Sequence, residues 1–322
     1  ATFLNQAGAL LHIYTDGTVQ LNHGGTEMGQ GLFTKVAQVV AEELQIPLES
    51  IRCTASSTEK VPNASATAAS SGSDMNGMAA QAAAQTLKQR LIEFLVGHYQ
   101  VAASEITFKA GRVQVGNKTE MSFAELAHLA WFNRVSLSAT GFYKTPKIHY
   151  DPQTMSGRPF YYFAYGAAVS EVEVDTLTGE YRVQQVDILH DVGESLNPAL
   201  DIGQIEGGFV QGMGWLTTEE LWWDQAGRLR THAPSTYKIP VAGDVPERFT
   251  VRLVDKKPNR EATIYRSKAV GEPPLMLAMS VFFALKDAVE SVGDYQQRSG
   301  LRAPATPEAV LMAIEFLREK VI

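Results

Sequence analysis

Cysteine is almost absent from the sequence, which has Cys53 alone among 322 residues. A single thiol excludes an internal disulfide framework and a metal cluster held by several cysteines. It also favours a reducing compartment, so we expect a cytoplasmic protein.

Positive charge and long apolar runs are also scarce. The formal net charge is -7, and no basic stripe is present that could contact the phosphates of nucleic acid. The longest strongly apolar stretch, residues 275–285, contains Ser280 and is shorter than the roughly 20 residues needed to cross a bilayer. The first residues carry no signal-peptide pattern. We therefore expect no nucleic-acid partner and no membrane association.

The common motifs of catalytic nucleophiles and metal sites are missing as well. No Gly-x-Ser-x-Gly or His-Glu-x-x-His pattern occurs, and the seven histidines are dispersed along the chain. His23, His190 and His232 are interpreted as structural. If the protein uses a metal, a cofactor must supply its ligands.

The composition, with 45% hydrophobic and 20% charged residues, is typical of a globular protein. Within it, two segments share the same order of hairpin, loop and helix. In the first, residues 11–21 alternate around an Asp-Gly turn, the loop "HGGTEMGQG" follows, and apolar spacing predicts a helix over 33–44. In the second, residues 172–188 form a hairpin with an irregular return strand, and Pro198 begins a helix capped by Asn197. This plan predicts an α+β fold of two similar halves, 1–150 and 151–322, because hairpins recur without the spacing of a parallel fold.

Other elements are predicted from capping residues and composition. An alanine-rich helix is predicted over 75–95 with Ser73 or Asp74 as its cap, and further helices over 273–292 and 306–319, the last capped by Thr306. Residues 144–159 contain three prolines and little periodicity, which indicates a linker. The chain does not begin with methionine, which suggests a processed protein or a piece of a longer one.

The stretch "KAVGEPPL" places Glu272 before two prolines at the start of an apolar helix. A residue before proline is driven towards an extended conformation, so we expect Glu272 just outside the helix, where the positive helix end favours its charged form. A charged carboxylate there could serve as a general base, or it could cap the helix.

Glycine is concentrated in two loops and one helix, and the residues alone do not decide the function of these segments. The loops "HGGTEMGQG" and "TAASSGSD" each precede a helix, where backbone N–H groups can bind an anion, but a tight turn and a solvated loop explain them as well. The helix "DIGQIEGGFVQGMG" contains five glycines, and each costs about 1 kcal/mol at an interior position. Close packing against a ligand or against another helix would explain this composition.

Five motifs occur in one order along the chain: "GGTEMGQGLFTKVAQVVAEEL", "VPNASATAASSGSDMNG", "LNPALDIGQIEGGFVQGMG", "PSTYKIP" and "SKAVGEPPL". Together they resemble the molybdenum-cofactor domain of the xanthine oxidase and aldehyde oxidase family, and "PSTYKIP" and "TAAS" resemble its xanthine dehydrogenases more than its aldehyde oxidases. The resemblance extends from Leu4 to about Val292. It corresponds to the C-terminal part of the family's molybdenum-binding portion, so the expected fold is part of a molybdopterin-binding domain.

The resemblance implies a set of cofactor and substrate residues. A molybdopterin whose dithiolene sulfurs hold molybdenum, with oxo, sulfido and hydroxo ligands, would lie between the Gly-rich loops without a protein ligand to the metal. Its contacts would come from Met28, Gly29 and Gln30, from the backbone N–H groups and hydroxyls of Thr67, Ala68, Ala69 and Ser70, and from Gln204. Ala68 and Ala69, together with Leu4, would line the substrate pocket.

The resemblance also implies a mechanism. Glu272 matches the family's catalytic glutamate, which would take the proton of the Mo–OH group as its oxygen attacks an electron-poor ring carbon and hydride passes to the sulfido ligand. Hypoxanthine and xanthine would be oxidised to urate. The alternatives are hydroxylation of aldehydes or other N-heterocycles, and a non-catalytic cofactor-binding module.

Partners are implied by what the chain lacks. Electrons that leave molybdenum need 2Fe-2S and FAD centres, and NAD is expected as the final acceptor. The chain has neither a cysteine cluster for 2Fe-2S nor a flavin motif. We expect these centres, and the N-terminal remainder of the molybdenum-binding portion, on other chains or on a missing part. A higher oligomer is also expected.

Overall fold

The computed structural model describes residues 4–321. Their contacts divide the protein into two units, each with a hydrophobic core of its own. The first unit consists of Ala1–Phe163, Glu194–Asn197 and Pro258–Ala269, and the second of Ala164–Gly193, Pro198–Lys257 and Val270–Ile322. No helix within residues 4–321 is both long and apolar enough to span a bilayer.

A four-stranded sheet forms the centre of the first unit. Its strands, in the order β3-β2-β1-β7, are β1 (Gln6–Ile13), β2 (Val19–His23), β3 (Ile51–Cys53) and β7 (Ser138–Lys144). The antiparallel pairing of β1 with β2 confirms the predicted hairpin. Its turn is closed by Asp16, whose Oδ1 accepts from the Thr18 N–H at 2.9 Å and the Thr18 hydroxyl at 2.6 Å.

Three helices accompany the strands of the first unit: α1 (Leu32–Leu44), α2 (Gly72–Tyr99) and α3 (Phe123–Phe132). Gly141 allows β7 to pack closely on α2, because a Cβ added there would lie only 2.0 Å from the Ala79 carbonyl oxygen. The N-cap of α2 is Ser71, so the prediction of Ser73 or Asp74 as the cap was wrong. Both predicted caps are buried inside the first turn, where Asp74 accepts from the Tyr162 hydroxyl instead of capping the helix.

Short strands complete the first unit. An antiparallel sheet contains β4 (Ile106–Lys109), β5 (Arg112–Val115) and β6 (Thr119–Ser122), and a separate hairpin contains β8 (His149–Asp151) and β9 (Ser156–Arg158). The β8–β9 hairpin corrects the prediction of a linker over 144–159. Its turn is closed by the Asp151 carboxylate, which accepts from the Gln153 N–H at 2.9 Å and the Thr154 hydroxyl at 2.8 Å. A hairpin held by polar side chains leaves no apolar alternation in the sequence.

A three-stranded sheet forms the second unit's layer of strands: β10 (Gly166–Val174), β11 (Tyr181–His190) and β12 (Arg248–Leu253). β10 and β11 pair antiparallel, and β11 and β12 pair parallel. Glu171 pairs with Gln185 and Val172 with Val183, so the register skips Gln184. This bulge confirms the irregular return strand.

Four helices complete the second unit: α4 (Pro198–Leu216), α5 (Pro273–Leu277), α6 (Met279–Ser291) and α7 (Pro307–Val321). The predicted cap of α7 is confirmed, because Thr306 Oγ1 accepts from the Ala309 N–H at 3.2 Å. The single helix predicted over 273–292 is interrupted at Ala278, which is fully buried. There the Val281 N–H donates to the Ala278 carbonyl at 3.0 Å, a tighter turn than an α-helix makes.

Both units combine helices with strands, and each contains both antiparallel and parallel strand pairs, so the mixed helix and strand content expected of an α+β fold is confirmed. A hairpin precedes a helix in each of them, β1, β2 and α1 in the first unit and β10, β11 and α4 in the second. The division at residue 150 and the similarity of the two halves stay predictions.

Candidate functional site

The Gly-rich loop, residues 24–31, connects β2 to α1. Its first two glycines are required by packing. A Cβ at Gly24 would lie 2.1 Å from the Ala64 Cβ, and one at Gly25 would lie 2.6 Å from a Leu32 methyl carbon. The loop is therefore held against the segment that precedes α2.

Glu27 organises the rest of this loop, although no prediction had singled it out. Its carboxylate accepts hydrogen bonds from the backbone N–H groups of Gly29, Gly31 and Phe33 at 2.9, 3.0 and 2.9 Å. Partial burial raises the pKa of Glu27, but the backbone donors outweigh it, so the pKa lies below its usual value. A signal was present in the sequence, because acidic side chains beside a helix start commonly satisfy its N–H groups.

The predicted cofactor residues Met28, Gly29 and Gln30 form the tip of the loop. The Gln30 side chain closes it by accepting from the Met28 N–H at 2.5 Å and donating to the Thr26 carbonyl at 2.8 Å. Met28 is 68% exposed. Gly29 has a φ of 97°, and no described atom lies within 4 Å of a Cβ built there, so a ligand can approach its backbone directly.

The second predicted loop, residues 67–70, touches the first. The Thr26 N–H donates to Thr67 Oγ1 at 2.9 Å. Two consecutive residues, Ala69 and Ser70, adopt left-handed conformations with φ of 58° and 46°. The backbone therefore turns sharply just before α2, which is a strained conformation for residues that carry a Cβ.

Leu4, predicted to border the substrate pocket, lies beside the second loop. Its carbonyl accepts from the Ser65 hydroxyl at 2.6 Å, and the Gln6 N–H donates to Ser65 Oγ at 3.0 Å. The Leu4 side chain is 53% exposed, and Ala68 and Ala69 are exposed as well. The first unit thus brings together eight predicted residues: Leu4, Met28, Gly29, Gln30, Thr67, Ala68, Ala69 and Ser70.

Buried polar side chains lie behind these loops. His23 ends β2, and Asp74 and Asn76 belong to the start of α2. His23 Nε2, Asp74 Oδ1 and Asn76 Oδ1 have no hydrogen-bond partner among the described residues. Buried atoms of this kind are usually satisfied by ordered water or by a bound polar group.

His23 predicts a pH dependence of stability. Burial lowers its pKa to about 4, against the raising effects of Glu27 and Asn76. As the pH falls below 6.5, the unfolded protein gains a proton that the folded protein does not take up until about pH 4. We therefore expect His23 to reduce the free energy of unfolding by up to about 3 kcal/mol between these pH values. Denaturation curves should show this loss in the wild type relative to His23→Asn, and parallel curves would contradict it.

Glu272 occupies the N-cap position of α5 in the second unit. Its φ of -83° and ψ of -33° show that the predicted extended conformation is wrong. A tight turn, in which the Leu275 N–H donates to the Glu272 carbonyl at 3.0 Å, overrides the preference that Pro273 imposes. The side chain is exposed and makes no capping hydrogen bond to α5, which weakens the interpretation as a cap. Its role as a base stays a prediction.

Two glycines of α4 allow this helix to pack closely on α5. A Cβ at Gly208 would lie 3.1 Å from the Pro274 Cβ, and one at Gly212 would lie 2.3 Å from the Leu275 carbonyl oxygen. Contact between helices therefore explains these two glycines, one of the two interpretations left open by the sequence.

Gln204, predicted to bind the pterin, is half-buried on α4, one turn before Gly208. Gly203 and Gly207 lie on either side of it in sequence. Nothing in the described part of the chain comes within 4 Å of a Cβ built at either glycine, so a ligand can reach this stretch of helix backbone. Within the second unit, Gln204 and Glu272 thus belong to adjoining elements.

The predicted residues do not line the pocket at the end of α4. A pocket of about 580 Å³ is lined by β11, the end of α4 and residues 240–247, and it includes neither Gln204 nor Glu272. Across residues 4–321, no group of three or more His, Cys, Asp or Glu side chains is arranged to hold a metal ion.

Comparison with known proteins decides the family. The profile of a family described as "Molybdopterin cofactor-binding domain" matches residues 1–246. The chain belongs to this family. This molybdopterin-binding chain is 50% identical to "Xanthine dehydrogenase/oxidase" of Mus musculus over 96% of its own length and 22% of that protein. It is 47% identical to "Xanthine dehydrogenase" of Blastobotrys adeninivorans over 97% of its length and 21% of that protein. These identities confirm the resemblance to xanthine dehydrogenases.

Solved structures share the fold of the molybdopterin-binding chain. Quinoline 2-oxidoreductase from Pseudomonas putida 86 matches with a TM-score of 0.80 and 25% identity, over 96% of this chain and 38% of that one. Aldehyde oxidoreductase from Desulfovibrio gigas matches with a TM-score of 0.74 and 23% identity, over 96% of this chain and 30% of that one. The chain spans about 22% of the length of the curated relatives it matches.

Proposed function

We propose that the chain is the catalytic, molybdenum-binding part of a larger enzyme that oxidises hypoxanthine and xanthine to urate. The observation that carries the proposal is the identity of 50% and 47% to xanthine dehydrogenases over 96% and 97% of the chain. A match of that extent includes both loops, α4 and the segment of Glu272.

The loops of the first unit fit a molybdopterin. Gly29 leaves its backbone open, Ala68 and Ala69 are exposed in the second loop, and unsatisfied atoms of His23 and Asn76 are buried next to Gly25. The groups that would hold the cofactor are Met28, the backbones of Gly29 and of residues 67–70, and the amides of Gln30 and Gln204. When bound, the cofactor would supply molybdenum, the oxygen that is transferred and the site that accepts electrons.

Glu272 would act as the general base of this reaction. Its exposed carboxylate at the start of α5 can take a proton from the oxygen that attacks the electron-poor ring carbon. Pro273 and Pro274 restrict the backbone next to it, which limits the directions that the side chain can take. The same exposure lets the protonated acid return its proton to water after the reaction.

Three apolar side chains, those of Leu4, Ala68 and Ala69, would border the substrate. Leu4, Ala68 and Ala69 are exposed in the first unit, and two alanines leave room for a flat purine ring beside the loop tip. We propose residues 1–150 and 151–322 as the two cofactor-binding halves. The order of hairpin and helix in each unit supports their similarity.

The remaining functions would come from other parts of the enzyme. The chain spans only about 22% of its relatives, which leaves room for 2Fe-2S and FAD centres, for NAD binding and for the rest of the molybdenum-binding portion. We propose a cytoplasmic enzyme that forms a higher oligomer.

The proposal is tested with the full-length protein supplied with hypoxanthine, xanthine, an aldehyde and a second N-heterocycle. Urate formation from both purines, in protein that contains molybdenum, is the expected result. Oxidation of the aldehyde or the other heterocycle, without formation of urate, would show that the proposed substrate class is wrong. A protein without turnover on any of them would favour a cofactor-binding module.

Gly29 allows a separate test of cofactor binding. We expect Gly29→Val to lower molybdenum content by roughly tenfold, because valine disfavours a φ of 97° and fills the space above the loop. Gly227→Val is the matched control, since Gly227 has a φ of 74° and, among described atoms, equally open surroundings. Metal analysis of both purified proteins gives the answer, and equal molybdenum in both would contradict the assignment of Gly29.

A further inference from the structure

A buried hydrogen-bond path in the first unit connects segments that are far apart in sequence. The Tyr162 hydroxyl donates to Asp74 Oδ2 at 2.5 Å, and the Ala269 N–H donates to the Tyr162 oxygen at 2.8 Å. Asp74 belongs to the first turn of α2 and is buried. We call this arrangement the Asp74–Tyr162–Ala269 path.

Neighbouring bonds hold the same segment from other sides. Lys268 is buried and donates from Nζ to the Phe163 carbonyl at 2.8 Å. The Ser267 carbonyl accepts from the Thr263 hydroxyl at 2.6 Å and from the Asn259 side-chain amide at 3.1 Å. Residues 267–269 therefore have little freedom to move within the first unit.

Both ends of the path adjoin residues of the proposed site. Asp74 lies in the first turn of α2, four positions after Ser70, the last residue of the second loop. Ala269 is separated from Glu272 only by Val270 and Gly271. A shift of either end would reach these residues through a few backbone bonds. Small displacements of catalytic groups reduce rates strongly, because reaction requires close alignment.

We propose that Asp74 and Tyr162 are positioning residues, which fix the start of α2 behind the second loop and the segment that leads into Glu272. The inference rests on the proposed function, because it takes Glu272 to be the base. Neither side chain contacts the reacting atoms in this proposal. Their effect passes through the backbone of Ala269 and through the first turn of α2.

The surroundings of Asp74 indicate that its acceptor oxygen, and not its charge, is what the path requires. Burial raises the pKa of Asp74 to about 7, against the lowering effects of Tyr162 and Lys35. Burial and the neighbouring Asp74 raise the pKa of Tyr162 well above its usual value, so its hydroxyl remains a donor. The path therefore needs an acceptor oxygen at position 74, which asparagine has and leucine lacks.

The experiment uses the full-length protein with Tyr162→Phe, Asp74→Asn and Asp74→Leu, and with Glu272→Gln to test the proposed base. The matched control is Tyr181→Phe, which removes a buried tyrosine hydroxyl in the second unit. Each protein is examined for molybdenum content, for kcat and KM with xanthine, and for amide hydrogen exchange over residues 264–272. Exchange reports on the path independently of activity.

We expect Tyr162→Phe and Asp74→Leu to accelerate exchange over 264–272 by roughly tenfold, as expected for the loss of one buried hydrogen bond. They should lower kcat by roughly tenfold and leave KM within about twofold, with molybdenum retained. Asp74→Asn and Tyr181→Phe should match the wild type in both measurements. If Asp74→Leu does not fold, Tyr162→Phe and Asp74→Asn decide the outcome.

The positioning role alone would be overturned by unchanged exchange in Tyr162→Phe, or by full activity of Tyr162→Phe beside an inactive Glu272→Gln. Equal losses in Tyr162→Phe and Tyr181→Phe would overturn it too, since any buried hydroxyl would then serve. Full activity of Glu272→Gln would instead remove the proposed base, and the positioning role with it.

Discussion

Replacement of Glu272 by glutamine is expected to lower kcat for xanthine by about 10³-fold in the full-length protein, within the usual range for loss of a general base. Glutamine has nearly the size of glutamate but cannot take up a proton at neutral pH. Because the Glu272 side chain is exposed and glutamine matches its shape, the fold and the molybdenum content should not change. Urate formation and metal content are measured on the same preparation.

Glu308→Gln is the matched control for this prediction. Glu308 is an exposed glutamate in the first turn of α7, so it shares the helix-start position of Glu272 without a place in the proposed site. We expect full activity from this variant. Similar losses in both variants would indicate a general effect of charge, whereas wild-type turnover by Glu272→Gln would exclude Glu272 as the base.

Gly212→Ala is expected to damage both stability and turnover. The added methyl group would lie 2.3 Å from the Leu275 carbonyl oxygen and 2.9 Å from the Ala278 Cβ, so α5 must move away from α4. Overpacking of this kind costs about 1–3 kcal/mol. Since Glu272 begins α5, we also expect kcat to fall by roughly 100-fold through misalignment. Amide exchange of α4 and α5 measures the local free energy of opening.

Gly207→Ala isolates the effect of the contact. It adds the same methyl group to the same helix, at a position where no described atom lies within 4 Å of the new Cβ. Alanine favours a helix over glycine by about 1 kcal/mol, so α4 should exchange more slowly in this variant. If both alanines stabilised α4 equally, the close contact between α4 and α5 would be refuted.

Local sequence signals predicted those elements that depend on near neighbours. The turn at Asp16 and the cap at Thr306 each involve residues within three positions, and both were found. Glu272 shows the opposite case, because the extended conformation favoured before proline gives way to the turn that begins α5. The break at Ala278 has a related origin, since this residue is buried against Gly212 of a helix far away in sequence.

The residues proposed for the candidate site come from ordered motifs, whereas their arrangement is visible only in the structure. Ordered motifs identified both loops, and the structure joins them through Thr26 and Thr67. The hydrogen bonds of Glu27 depend on the path of the loop, which no periodicity encodes. Tyr162 and Asp74 are 88 positions apart, and no local pattern connects such a pair.

The carboxylate of Glu27 bears on the order in which the protein matures. It satisfies the backbone donors of Gly29, Gly31 and Phe33 from within the chain, so the first loop acquires its shape through its own bonds. A loop that had to be ordered by its ligand would lose conformational entropy at binding, which lowers affinity. In this protein the loop loses its conformational entropy when the chain folds. Under the proposed function, polypeptide folding and cofactor insertion would therefore proceed as two successive steps, because the first loop has its shape before the cofactor binds.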